Sequence, residues 1–397
     1  MTKQLMERAD AAMAATYARH PLVLERGEGC TVWDTEGRAY TDFIAGIAVC
    51  CLGHAHPAVA EAICDQARRL CHVSNLFYTI PQIELAEWLA ARCFADRVFF
   101  CNSGAEANEA AIKLARRHFH DRGESDRYRI VAAEKSFHGR TLGALSATGQ
   151  DKIKTGFAPI VEGFDFVPYD DVDALRKAVG PETCAVLLEP VQGEGGVVVP
   201  DPDYLANVRE ICDSAGALLI YDEVQTGVGR TGRLFAHEHS GVAPDIMSLA
   251  KALGNGLPIG AMLAREEVAA AFGPGVHATT FGGTPVITAA ALAVLKTLES
   301  EGIIDRCDRT GRYFRERLGE LKEKHSVAAA VRGVGLLNAL ELTVPGGPVV
   351  KAAMERGYLI NCIQETVLRF APPLIVDRPA IDGLVETLDE ILKEAAP

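Results

Sequence analysis

Two apolar runs that each finish on a charge constrain this chain most. Ala217-Leu218-Leu219-Ile220-Tyr221-Asp222-Glu223-Val224 reads as a fully buried strand carrying a carboxylate at its end. Ile246-Met247-Ser248-Leu249-Ala250-Lys251 reads as a second apolar strand, ending on a lysine. An isolated charge is costly to bury, so Asp222 and Lys251 need partners or a purpose. In open α/β sheets the carboxyl edge of the strands is where ligands bind.

The chemistry of the pair is specific. Burial lowers a lysine's pKa and frees its lone pair, which makes Lys251 a candidate Schiff-base nucleophile. A buried carboxylate close by can hold a proton on a heterocyclic nitrogen. Pyridoxal 5'-phosphate needs both groups. The competing reading is two unrelated strand-end charges in structural ion pairs.

Short apolar runs alternate with helical patterns from about residue 95 to 290. Strands are expected at Arg97–Cys101, Ile130–Ala133, Ala185–Glu189, Ala217–Val224, Ile246–Leu249 and Ile259–Ala264, with helices at Ala105–His120, Val172–Val179 and Asp203–Ala215. Such alternation implies βαβ units and a mostly parallel sheet flanked by helices, an α/β fold. The start differs: Leu22–Arg26, Thr31–Asp34 and Ala39–Phe43 read as antiparallel strands. Near the end, a long helix at Asp305–Lys324 is followed by short strands around Arg332–Leu342 and Val367–Phe370. We therefore expect a large domain over residues 55–300 and a smaller α+β domain built from 1–54 and 301–397.

Bulk properties narrow the partners. A net charge of −13 argues against nucleic acid or an anionic membrane as the main partner. The 11 cysteines form no C-x-x-C pair and many sit in apolar stretches, as reduced thiols of a cytoplasmic protein would. No run is long enough to span a bilayer, and Met1–His20 has no signal-peptide core.

Four other runs carry chemistry. Val98–Glu109 passes from a strand through Asn102-Ser103-Gly104-Ala105 into a helix, leaving backbone N–H groups free for a phosphate; the plain alternative is an ordinary N-cap. In Ser136-Phe137-His138-Gly139-Arg140-Thr141 the aromatic can stack on a flat ring and Arg140 can grip a carboxylate, against a core phenylalanine and a surface arginine. Glu189-Pro190-Val191-Gln192-Gly193-Glu194 sets two carboxylates at and beyond a strand end. Gly227-Val228-Gly229-Arg230-Thr231-Gly232 matches G-x-G-x-x-G, yet the run Arg233–Gly241 behind it is too short and polar for the helix a dinucleotide site requires. His54-Ala55-His56 with Cys50, Cys51 and Cys71 fits no common zinc spacing and reads as a turn, so no metal is expected.

Taken together, Asn102–Glu109, Phe137–Thr141, Asp222-Glu223-Val224-Gln225-Thr226-Gly227, Thr279-Thr280-Phe281-Gly282-Gly283 and Leu368–Leu374 closely resemble the class III aminotransferases, pyridoxal phosphate enzymes of fold type I. The resemblance covers nearly the whole chain. It implies that Lys251 binds the cofactor aldehyde, that Asp222 pairs with the ring nitrogen and that Gln225 lies near the ring hydroxyl. By the same resemblance Phe137 stacks on the ring, Gly104 and Ala105 hold the phosphate, and Thr280 reaches the phosphate from a second subunit of a homodimer with shared sites. Tyr17, Arg140 and Thr279 match substrate contacts. Arg369 matches the arginine that takes the α-carboxylate of glutamate or 2-oxoglutarate, with Glu194 as its switchable partner. Ile47 stands where ornithine-specific members tend to carry tyrosine. The implied reaction moves the δ-amino group of N-acetylornithine to 2-oxoglutarate, as in arginine synthesis. Succinylornithine, ornithine, an acylated lysine and GABA are alternative donors. An aminomutase or a binding protein on this fold are the readings from other classes.

Overall fold

The computed structural model describes residues 2–394. Near the amino end, strands β1 (Leu24–Glu28), β2 (Thr31–Asp34) and β3 (Ala39–Asp42) form an antiparallel ribbon. Asp34 Oδ1 accepts the N–H groups of Glu36 and Arg38, each at 2.9 Å, and thereby shapes the turn between β2 and β3.

The central sheet comprises β4 (Arg97–Cys101), β5 (Arg129–Ala133), β6 (Phe164–Val167), β7 (Thr183–Leu188), β8 (Leu218–Asp222), β9 (Ile246–Leu249) and β10 (Gly260–Ala264). Its spatial order is β4-β10-β9-β8-β7-β5-β6. The pairings from β6 across to β9 are parallel, and β10 runs antiparallel between β9 and β4. Every residue of β7, β8 and β9 is buried, as apolar strands covered on both faces must be. The helix Gly104–Asp121 packs one face through Ala111, Leu114 and Ala115. Helices Val172–Ala178 and Tyr204–Ala215 cover the other through Leu175, Val208 and Ile211.

Further strands and two long helices complete the fold. β11 (Ala328–Val334) and β12 (Leu337–Leu342) form a hairpin. β13 (Tyr358–Leu359) adds parallel to β3, while β14 (Asn361–Ile363) and β15 (Val367–Phe370) extend the hairpin sheet. Chain from both ends thus meets in one sheet. Helices Ile303–Lys324 and Arg378–Glu394 pack through Phe314, Leu318, Leu384 and Leu388 into a core shared with the helix Pro285–Ser300. Among the described residues no helix is long and apolar enough to cross a membrane.

Three sequence expectations need correction. The run Ala217–Val224 stops being strand at Asp222, because the Glu223 carboxylate turns away to accept the N–H groups of Ala236 and His237. Lys251 does not end a strand: β9 stops at Leu249, and Lys251 opens a short 3-10 turn at φ 45°. β6 escaped notice because Phe164-Asp165-Phe166-Val167 is only four residues long, is interrupted by Asp165 and lies half-buried at the sheet's edge.

Candidate active site

The carboxyl ends of β4, β5, β7, β8 and β9 converge on one cavity of about 470 Å³. Each end delivers part of the wall: Gly104 and Ala105 after β4, Phe137 and Arg140 after β5, Glu189 after β7, Asp222 and Gln225 from β8 onward, and Lys251 after β9.

The β4 end is a helix start. Ser103 caps the helix Gly104–Asp121 by accepting Glu106 N–H at 3.2 Å, and the Glu106 carboxylate reaches back to Asn102 N–H at 2.6 Å. The first N–H groups of a helix have no partner within it, so those of Gly104 and Ala105 form a positive end facing the cavity. Gly104 has to be glycine. A Cβ there would stand 2.7 Å from a Val224 methyl and push the helix start off the β8 loop.

Asp222 is 4% exposed and gripped from three directions. Its Oδ2 lies 2.7 Å from His138 Nδ1 and accepts Asn108 Nδ2 at 2.7 Å, while Oδ1 accepts Val224 N–H at 2.9 Å. Asn108 also donates to the His138 carbonyl at 2.8 Å, and His138 N–H donates to Thr148 Oγ1 at 2.9 Å. A buried carboxylate so tied keeps one orientation. Neither His138 nor Asn108 was assigned a role from sequence. Asn108 had a signal: a polar residue in the stripe Ala107, Ala111, Ile112, Ala115 must find a buried partner.

Lys251 lines the same cavity with its backbone in the left-handed region. For a non-glycine residue that conformation costs about 1–2 kcal/mol, and it is held only where the surroundings demand it. Burial pulls the ammonium pKa below its ordinary value despite the opposing pull of Glu194 and Asp222. A larger share of free amine follows. Beside it, the Phe137 ring is partly open to the cavity, with the Arg140 guanidinium 5.7 Å from its centre.

Behind Gln225 lies a buried arginine. Arg369, 1% exposed, pairs through Nη1 with Glu194 Oε1 and donates to Gln225 Oε1 at 3.2 Å. Burial pushes the Glu194 carboxyl up, but Arg369 outweighs it and holds the group below the usual carboxylate range. Glu194 and Arg369 do not line the cavity themselves and adjoin it through Gln225. Thr279 sits at its edge, where its hydroxyl accepts Asn102 Nδ2 at 3.2 Å. Thr280 is exposed on a separate shallow surface with Asn75 and Gln82. Tyr17 is 74% exposed and stands apart from the cavity, with Arg19 5.4 Å from its ring centre.

Known proteins resemble this chain in sequence and in fold. The sequence model of the class-III aminotransferases matches residues 12–392. The chain is 52% identical over 380 residues to an acetylornithine aminotransferase of Caldanaerobacter subterraneus subsp. tengcongensis, covering 96% of each. Among solved structures, an ornithine aminotransferase of Toxoplasma gondii superposes with TM-score 0.96 at 36% identity, over 100% of this chain and 96% of that one. An acetylornithine aminotransferase of Elizabethkingia anophelis superposes with TM-score 0.88 at 33% identity, over 99% of each.

Proposed function

The chain belongs to the class-III aminotransferases, pyridoxal phosphate enzymes of fold type I, and from that membership we propose that it moves the δ-amino group of N-acetylornithine to 2-oxoglutarate, a step of arginine biosynthesis. The observation that carries the reading is the meeting of Lys251, Asp222 and the helix start at Gly104 in one cavity.

The donor set fits the cofactor. Free N–H groups at a helix start suit a phosphate, an aromatic face suits a flat ring, a fixed carboxylate suits a ring N–H, and a desolvated amine suits an aldehyde. Gly104 and Ala105 would hold the phosphate, Phe137 would stack on the ring, and Gln225 would lie near the ring hydroxyl. When bound, the cofactor supplies an electron sink for breaking the C–H bond at the amine-bearing carbon.

The remaining work falls to side chains of the protein. Asp222, fixed by His138, Asn108 and the Val224 N–H, would keep a proton on the ring nitrogen. Lys251 Nζ would anchor the cofactor and, once displaced by substrate, carry the proton away from the substrate carbon as a general base. Arg140 would hold the donor's carboxylate, while Tyr17 and Thr279, which do not line the cavity of the single chain, would join it only in the assembled protein. The Glu194–Arg369 pair would act as a gate: closed for a donor that ends in an acylated amine, open when a dicarboxylate takes Arg369 and displaces Glu194. We further propose a homodimer in the cytoplasm. Leu76, Phe77, Tyr78, Ile80 and Phe281 form exposed apolar surface that a second copy would cover, bringing Thr280 to the partner's phosphate.

Ornithine is the nearest alternative donor. Ile47, two residues before the cavity-lining Val49, favours the acylated substrate because it stands where ornithine-specific members of the family tend to carry tyrosine. Parallel assays with N-acetylornithine, N-succinylornithine, ornithine and GABA, each with 2-oxoglutarate, test the reading. The highest kcat/KM is expected for N-acetylornithine, and a preference for ornithine would overturn the donor assignment.

A further inference from the structure

Glu189 is the buried acid of this cavity that the proposed chemistry leaves idle. It follows β7, is 5% exposed, and lines the cavity with Asp222 and Lys251. No lysine or arginine among the described residues pairs with it; its partners are backbone. Oε2 accepts the N–H of Phe137 at 3.3 Å, and Oε1 accepts the N–H of Gly193 at 3.2 Å. Its main-chain carbonyl accepts the Tyr169 hydroxyl at 2.9 Å, which fixes the root of the side chain.

Those two N–H groups belong to different loops. One carries Phe137 and Arg140, the other carries Glu194. Contact continues past Gly193, where a Cβ would stand 2.4 Å from the Gln225 side-chain carbon, so the backbone rests directly on that amide. Gln225 in turn accepts Arg369, the partner of Glu194. An unbroken line of touching groups therefore runs from the Phe137 backbone through Glu189, Gly193 and Gln225 to the arginine.

We propose that Glu189 is a positioning residue for the transamination: its carboxyl straps the Phe137 loop to the Glu194 loop and sets the resting place of the Arg369 gate. The gate itself rests on the proposed function; the strap does not. The strap is also responsive to pH. Burial pushes the Glu189 carboxyl up to about 7, with His138 pulling down, Asp222 pushing up, and the N–H groups of Gly193 and Phe137 pulling down. Lys251 and Gln225 face it across the cavity wall. An ionised carboxylate accepts N–H groups more strongly than a neutral acid, so the strap tightens as pH rises through neutrality.

Hydrogen exchange on the cofactor-free protein reads the strap without any turnover. Glu189→Ala is expected to lower protection at both the Phe137 and Gly193 amides by about tenfold. Glu189→Gln, whose amide has one acceptor oxygen, is expected to lower it at only one of them. In wild type, protection of both amides is expected to increase between pH 6 and 8, and in Glu189→Gln that increase should vanish. For the loaded enzyme, Glu189→Ala is expected to raise the KM for 2-oxoglutarate about tenfold while kcat falls less than threefold. Unchanged protection in Glu189→Gln would overturn the strap, even if Glu189→Ala proved unable to fold. An altered strap with an unchanged 2-oxoglutarate KM would overturn its link to the gate. Failure of wild type to use N-acetylornithine would instead strike the proposed function and leave the exchange result standing.

Discussion

Two carboxylates, one lining this cavity and one adjoining it through Gln225, stand under opposite constraints. Asp222 is nearly sealed and takes hydrogen bonds from an imidazole, an amide and a backbone N–H on separate elements. Glu194 is partly open to solvent, and its one charged side-chain partner among the described residues is Arg369. The first cannot turn without breaking three contacts. The second turns by breaking its ion pair with Arg369 and a contact with Gln225, which a competing carboxylate can replace. A group that must hold a proton on a ring throughout the cycle calls for the first environment, and a group that must step aside calls for the second.

Substitutions at and around the two carboxylates sharpen or break that contrast. The largest effect is expected outside it, at the shared amine: Lys251→Ala should lower turnover by at least about a thousandfold while circular dichroism stays that of the folded protein. Asp222→Asn should cost about a hundred- to a thousandfold in kcat with nearly unchanged donor KM; a loss under fivefold would show that the rigid carboxylate is not needed. Glu189 offers a test through stability. The fold raises its pKa from 4.5 to about 7, so the neutral acid is the form the fold favours. Its contribution is full below pH 4.5 and is lost as pH climbs through about 7, amounting to up to about 3 kcal/mol. Melting of cofactor-free wild type should therefore fall from pH 5 to 8 relative to Glu189→Gln; parallel curves would contradict the burial argument. Glu194→Ala should slow the N-acetylornithine half-reaction about tenfold and leave the glutamate half-reaction at least as fast. If stopped-flow traces of both half-reactions match wild type, Glu194 is not a gate. Smallest of all, Ile47→Tyr should move the ornithine to N-acetylornithine kcat/KM ratio by only a few-fold to tenfold toward ornithine.

Much of the rigid half was legible in the sequence, and less of the mobile half was. Periodicity located β8 and β9 because strands buried on both faces leave continuous apolar runs, and strand-end charges marked where ligand chemistry would gather. The Gly104, Phe137, Asp222, Gln225 and Lys251 positions meet in one cavity because parallel strands deliver their carboxyl ends to the same edge. Chain direction was harder. The antiparallel course of β10 depends on a turn through Asn255 and Gly256, which local pattern does not distinguish from a crossover. His138 and Asn108 were missed because hydrogen bonds spanning 84 and 114 residues leave no local trace. Thr279, Thr280 and Tyr17 lie at or outside the cavity of a single chain, and no periodicity could have ranked them against other residues outside the core. Glu223 shows how two adjacent acids divide: Asp222 faces the site, while its neighbour ties down the Ala236 and His237 amides beneath it.

The left-handed torsion at position 251 sets local strain against chemistry in a single residue. Glycine takes that torsion without a Cβ penalty, so Lys251→Gly should relieve the local strain, offset in part by glycine's greater chain entropy, and remove the amine on which the site depends.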